Sequence, residues 1–193
     1  MLNNLKKYQI VLASKSPRRQ ELLRGMGIDF MVLTKDTIEV FPEGKPLEEV
    51  PKYLSGIKSL NYNDRELPSD YLLITSDTVV ICEGEILGKP KDREDAVRML
   101  RMLSGKTHRV VTGVTVRSAK KCESFAVGSN VTFAELDAEE INHYIDTYKP
   151  FDKAGAYGIQ EWIGYIGITG LEGSFYNVMG LPTQRLYQCL KGF

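Results

Sequence analysis

Residues 8–19 read Tyr-Gln-Ile-Val-Leu-Ala-Ser-Lys-Ser-Pro-Arg-Arg, and this segment constrains the fold more than any other. Tyr8 to Ala13 is a short apolar run that reads as a buried strand. Ser14-Lys15-Ser16 then turns the chain. Pro17 suits the first position of a helix, with Ser16 as its cap and Leu22, Leu23 and Met26 on one side. A buried strand feeding directly into a helix points to an α/β architecture.

The rest of the chain continues the alternation. Strands are expected at Phe30–Leu33 and Tyr71–Thr75, the latter ending at Ser76-Asp77-Thr78, with a helix over Leu47–Leu60 between them. Val79–Cys82 and Glu85–Leu87 read as a hairpin turning at Gly84. Asp92 caps an amphipathic helix whose Ala96, Met99, Leu100 and Leu103 face inward, with Gly105 just past its end. Two long strands follow, His108–Arg117 and Glu123–Glu135. Asp137 and Glu140 then form a capping box for a helix carrying Ile141, Tyr144 and Ile145. A loop over Lys149–Gln160, a strand over Trp162–Thr169 and a helix near Pro182–Leu190 complete the pattern. Strand spacing is too irregular for a TIM barrel, and no dinucleotide-binding fingerprint is present. The expected fold is a long twisted mixed β-sheet flanked by helices and split into two lobes by a cleft.

Several classes of function are disfavoured. The 193 residues carry 25 Lys plus Arg and 25 Asp plus Glu, so no basic excess suggests a nucleic-acid partner. Cys82, Cys122 and Cys189 have neither disulfide nor zinc spacing. His108 and His143 are isolated, which removes most histidine-based chemistry. No apolar run approaches the ~20 residues of a membrane span, and the N-terminal residues do not read as a signal peptide. A soluble chain that stays in the cytoplasm is expected.

Chemistry concentrates at a few places. A helix N-terminus offers free N–H groups and partial positive charge to a phosphate, and here Ser14, Ser16, Arg18 and Arg19 gather at one. An ordinary capped helix with solvated arginines is the alternative. Asp77, at the expected carboxyl end of an apolar strand, lies where ligands bind in open α/β sheets and could hold Mg²⁺. It could equally cap the turn, and Thr78 is either a ligand contact or a strand residue. Lys89 is held between Gly88 and Pro90 on a stiff turn, which favours a fixed electrostatic task. Glu39 and Lys58 are anonymous by themselves. Gly105-Lys106-Thr107 is no P-loop, because position 100 is Leu rather than the required glycine.

Taken together, Leu12–Leu23, Ser76–Val80, Leu87–Pro90, Ser104–His108, Asp152–Gln160 and Gly173–Pro182 resemble the Maf family of nucleoside triphosphate pyrophosphatases, once described as septum-formation inhibitors. The resemblance runs along nearly the whole chain and implies one domain over residues 1–193. It implies a two-lobed fold around a nucleotide cleft, related to that of inosine triphosphate pyrophosphatases. The implied catalytic proton acceptor is Asp77. Phosphate and metal-site roles fall on Ser14, Arg19, Glu39, Lys58 and Lys89, and base preference on Arg18, Thr78 and Gln160. Glu39 and Lys89 join Asp77 in the catalytic set. Asp77 and Glu39 are the implied ligands of Mg²⁺ or Mn²⁺.

The Asp77-Thr78 pair and the Lys153–Gln160 segment look like the branch acting on dTTP and UTP. Glu161 departs from that pattern, since a glycine commonly follows the glutamine, and could alter the loop or add charge near the base pocket. A homodimer stays open as the form of assembly. The alternatives are an inosine or xanthosine triphosphate pyrophosphatase and a non-catalytic nucleotide-binding regulator of cell division.

Overall fold

A computed structural model describes residues 2–37 and 40–193. The chain folds as two compact units, one built from Met1–Asp77, Thr112–Val127 and Gly180–Phe193, the other from Thr78–Val111 and Gly128–Met179. A seven-stranded sheet has the order β2-β1-β3-β5-β6-β7, with β4 paired to β3. Parallel and antiparallel pairs both occur, so the sheet is mixed as expected.

In the first unit β1 (Gln9–Leu12) lies between β2 (Met31–Val32) and β3 (Tyr71–Cys82), parallel to both. Its register against β3 runs from Gln9 opposite Tyr71 to Leu12 opposite Ile74. Val11, Tyr62, Leu67, Tyr71 and Leu73 pack into one buried cluster beneath this pairing. Helix α1 (Pro17–Gly25) starts where expected, with extended backbone at Ser16. The capping chemistry differs: the Ser16 side chain makes no cap bond, and the Ser16 N–H is instead accepted by Ser14 Oγ at 3.3 Å. Helix α2 (Val50–Leu60) follows a 3₁₀ turn over Leu47–Glu49, and Pro51 sits in its first turn, where no N–H is required.

The break expected at Ser76-Asp77-Thr78 does not occur. Strand β3 runs unbroken for 12 residues. The polar run that suggests a turn is absorbed by partners distant in sequence, because Thr75 Oγ1 donates to Ser55 O and Asp77 pairs with Lys58. Asp77 therefore lies within a strand, not at its end.

In the second unit β3 turns into β4 (Glu85–Leu87) at Glu83 and Gly84, whose φ of 50° and 79° suit the mirror-image turn of a tight hairpin. Asp92 caps α3 (Arg93–Leu103), its side chain accepting from the Asp95 N–H at 2.8 Å. Both bonds of the Asp137–Glu140 capping box are present at α4 (Ala138–Tyr148). Strands β5 (Thr107–Arg117) and β6 (Cys122–Phe133) are the two long expected strands, and like β3 they run through both units.

The strand expected over Trp162–Thr169 is a correction. Trp162–Gly167 forms helix α5, and only then does β7 (Ile168–Glu172) begin, antiparallel to β6. Two further helices follow, α6 (Phe175–Met179) in the second unit and α7 (Thr183–Leu190) in the first. Among the described residues no helix is long and apolar enough to cross a membrane.

Candidate active site

The first unit assembles its charged groups just past the end of the parallel pairing. Leu12 is the last β1 residue paired to β3, and the Ala13 N–H donates to Ile74 O at 2.9 Å. Beyond that point the chain leaves β1 through Ser14-Lys15-Ser16, while β3 continues to Asp77. Such a carboxyl edge of parallel strands is where α/β sheets bind ligands. Asp77 reaches that edge by strand extension, not as the last residue of its strand.

Side chains alternate along a strand, so Thr75 and Asp77 share one face of β3. Ser55 and Lys58, three residues apart, share one face of α2. The two pairs meet. Thr75 Oγ1 donates to Ser55 O at 2.7 Å, and Lys58 Nζ donates to Asp77 Oδ1 at 2.5 Å. Only 9% of the Asp77 side chain and 16% of the Lys58 side chain are exposed. Charges shielded in this way attract each other far more strongly than a surface pair. Ser55 Oγ continues the contact to Thr115 Oγ1 at 2.9 Å, which reaches Ser124 Oγ at 2.8 Å. Helix α2 also lies directly on the backbone of β5: a Cβ at Gly113 would fall 2.2 Å from Lys52 N.

Arg19 braces the same strand. Its Nε donates to Gly180 O and its Nη1 to Ser76 O, each at 2.9 Å. This part of the guanidinium fork grips main chain beside Asp77 rather than facing outward as expected for a phosphate ligand. Ser14 is buried, and its carbonyl accepts from Gln20 Nε2 at 3.3 Å. Arg18 is half-buried at the first turn of α1, whereas Lys15 is exposed and paired to Asp36 at 2.7 Å.

The second unit holds Thr78, Lys89 and Gln160. Thr78 follows Asp77 in β3 and is half-buried. Lys89 is exposed in the loop after β4, and the preceding Gly88 O accepts the Gly155 N–H at 3.0 Å. Two expected segments, Leu87–Pro90 and Lys153–Gln160, are therefore fastened together. Gly155 and Ala156 have φ of 70° and 58°, an uncommon conformation for the alanine and one concentrated at functional sites. Gln160 Oε1 is buried and receives no hydrogen bond from the protein.

Glu161 is tied into the loop, and its carboxylate is met by neighbouring side chains. Its Oε2 accepts from the Tyr144 hydroxyl, and its Oε1 lies 3.1 Å from Lys153 Nζ. Neither Tyr144 nor Lys153 stands out as functional in the sequence. Tyr144 reads as helix core, and the only pointer to Lys153 is its place within the Asp152–Gln160 segment. His108 belongs to the core, its Nε2 2.7 Å from the Tyr157 hydroxyl, and burial pulls its pKa from 6.5 down to about 4. Burial also pushes the Tyr157 phenol well above its usual range.

Glu39 lies outside the described residues. Among those described, no group of three His, Cys, Asp or Glu converges to hold a metal. Asp77 supplies one carboxylate, with Oδ1 engaged by Lys58. Such a donor set fits an ion that arrives on phosphate oxygens and keeps its waters, as Mg²⁺ commonly does, rather than one caged by protein.

Fold and site together define a mixed α/β protein with a shielded Lys–Asp pair at the carboxyl edge of its parallel strands. Residues 9–193 match the family model described as Maf-like protein, and the chain belongs to that family. A Porphyromonas gingivalis (strain W83) protein named dTTP/UTP pyrophosphatase is 56% identical over 195 residues, covering 100% of this chain and 98% of its own. A protein of the same name from Bacteroides thetaiotaomicron is 53% identical over 192 residues, covering 99% of each. A solved structure titled "The structure of the Staphylococcus aureus Ham1 protein" aligns with TM-score 0.49 and 16% identity, covering 82% of this chain and 90% of that one.

Proposed function

We propose that this chain is an enzyme hydrolysing dTTP and UTP to the nucleoside monophosphate and pyrophosphate. The observation that carries the chemistry is the shielded Lys58–Asp77 pair beyond the last β1–β3 pairing. The substrate class is supported by the full-length relatives named dTTP/UTP pyrophosphatase.

Water attacks the α-phosphorus, the bond from that phosphorus to the bridging oxygen breaks, and pyrophosphate leaves. Asp77 accepts the water's proton, the role a fixed carboxylate can fill as general base. Lys58 holds that carboxylate and adds positive charge where the phosphates gather. Ser14 and Lys89 bind phosphate oxygens, Arg19 braces the strand that carries Asp77, and Arg18 contributes to base preference. Asp77 and Glu39 would hold Mg²⁺ or Mn²⁺, which neutralises the departing pyrophosphate when bound. Gln160 contacts the base, and its buried Oε1 is an acceptor suited to the ring N–H of uracil or thymine. Thr78 shapes the same contact. The three free thiols suit a reducing cytoplasm.

The deciding experiment is product analysis with UTP and Mg²⁺. UMP and pyrophosphate are expected. UDP with orthophosphate would place attack at the γ-phosphorus and sink the reading, as would nucleotide binding without turnover.

A further inference from the structure

Gln160 sits third in a four-residue turn that is closed at three points. The Glu161 N–H donates to Gly158 O at 3.0 Å, which closes the turn itself. The Gly158 N–H donates to the Tyr144 hydroxyl at 3.0 Å, and that hydroxyl donates in turn to Glu161 Oε2. Tyr144, fully buried on α4, thus ties the first residue of the turn to the last. The Glu161 side chain folds back beneath the turn, where a Cβ on Gly158 would meet its Cδ at 2.9 Å. Lys153 then locks the carboxylate from the other side, 3.1 Å from Oε1, while also pairing with Asp152 at 2.8 Å. Lys153 is 9% exposed at its side chain and Glu161 19%, so water competes little for either charge.

We propose that Tyr144, Glu161 and Lys153 form a positioning clamp that sets Gln160 against the base and thereby determines pyrimidine selectivity. The inference rests on the reading of Gln160 as a base contact. None of the three touches substrate in this scheme. They act by removing freedom from the turn before binding, so that the glutamine amide need not be ordered at the moment of binding. A hydrogen-bonding site discriminates only when its donors and acceptors are held at the required geometry, which is what the clamp supplies. The carboxylate at 161 is thereby a structural substitute for a small residue: it stabilises the turn from below instead of presenting charge to the ligand.

The test uses Y144F, E161Q and Q160A, with kcat and KM measured separately for UTP, dTTP and GTP by pyrophosphate release. Y144F keeps the ring and loses both hydroxyl bonds. It should raise KM for UTP and dTTP about tenfold while kcat stays within about twofold, the scale of one lost hydrogen bond. E161Q should shift KM in the same direction and carries the test if Y144F does not fold. In a Q160A background, Y144F should change the ratio of UTP to GTP kcat/KM no further, because the clamp acts through that side chain. If Q160A relaxes the base preference and both clamp variants leave it intact, the clamp alone is overturned. If Q160A itself leaves the preference intact, the base-contact reading fails and the clamp with it. An equal loss for all three triphosphates would make the cluster merely structural and overturn the proposal.

Discussion

Replacing Lys58 by methionine would keep most of its apolar stem and leave the Asp77 carboxylate shielded without its ammonium. Breaking a buried pair by removing one partner is costly, and the residual exposure here brings the expected loss to about 2 kcal/mol, readable as a shifted urea midpoint. Asp77→Asn keeps an acceptor for Lys58 and should retain the fold, yet lower kcat on the order of 10²–10⁴-fold. Near-normal turnover in a folded variant would remove Asp77 from the chemistry. His108 gives a prediction of a different kind. Its folded pKa of about 4 lies below the free value of 6.5, so the unfolded chain binds the extra proton first as pH falls. Its contribution is fully present above pH 6.5 and is lost progressively toward pH 4, by roughly 3 kcal/mol in total. Denaturant melts between those limits should show this slope, and His108→Gln should flatten it. At this scale the sequence carries residue types but not partners. Asp77 stood out because it interrupts an apolar run, whereas its pairing with Lys58 spans 19 positions that no local pattern connects.

Among the elements, α2 matters most, since it delivers Lys58. The helix backbone rests against Gly113, and an added methyl group would have to displace main chain. Gly113→Ala should therefore cost about 3 kcal/mol of stability and also lower kcat/KM for UTP, because the displaced helix carries Lys58 with it. Melting and steady-state assays on the same sample check both, and a stable, fully active variant would show the helix adapts freely. Helices with conventional signals were legible: the caps at Asp92 and Asp137 and the buried stripe of α3 follow from spacing alone. Trp162–Gly167 was not. Its Ile163, Tyr165 and Ile166 favour a strand, but packing overrides that preference. A Cβ at Gly164 would lie 1.8 Å from Ile159 O, and the Gly164 N–H bonds to Glu161 O at 2.8 Å, so the chain must curl there. The glycine was visible in the sequence, but the approach that requires it was not.

For the whole molecule, base selectivity is the property most directly exposed to test. With pyrophosphate release as readout, dTTP and UTP should have higher kcat/KM than ATP, GTP and 7-methyl-GTP, and a purine triphosphate outperforming both would overturn the substrate assignment while leaving the reaction intact. Gln160→Glu should narrow the preference more than it slows the best substrate, as the amide donor is lost and the acceptor becomes charged. The family was legible because its motifs lie along the entire chain, from Leu12 to Pro182, and several in order are more specific than any one. Their distribution also constrains descent. The backbone passes between the two units four times, after Asp77, Val111, Val127 and Met179. No single cut of the gene isolates either unit, and an exchange at any breakpoint between residues 78 and 179 would give a hybrid in both. Asp77 and Thr78, neighbours in one strand, stand on opposite sides of the first crossing. A single exchange within that span therefore mixes parentage in both units, whereas a breakpoint at the first crossing would carry Thr78 and Gln160 across together and leave Asp77 behind.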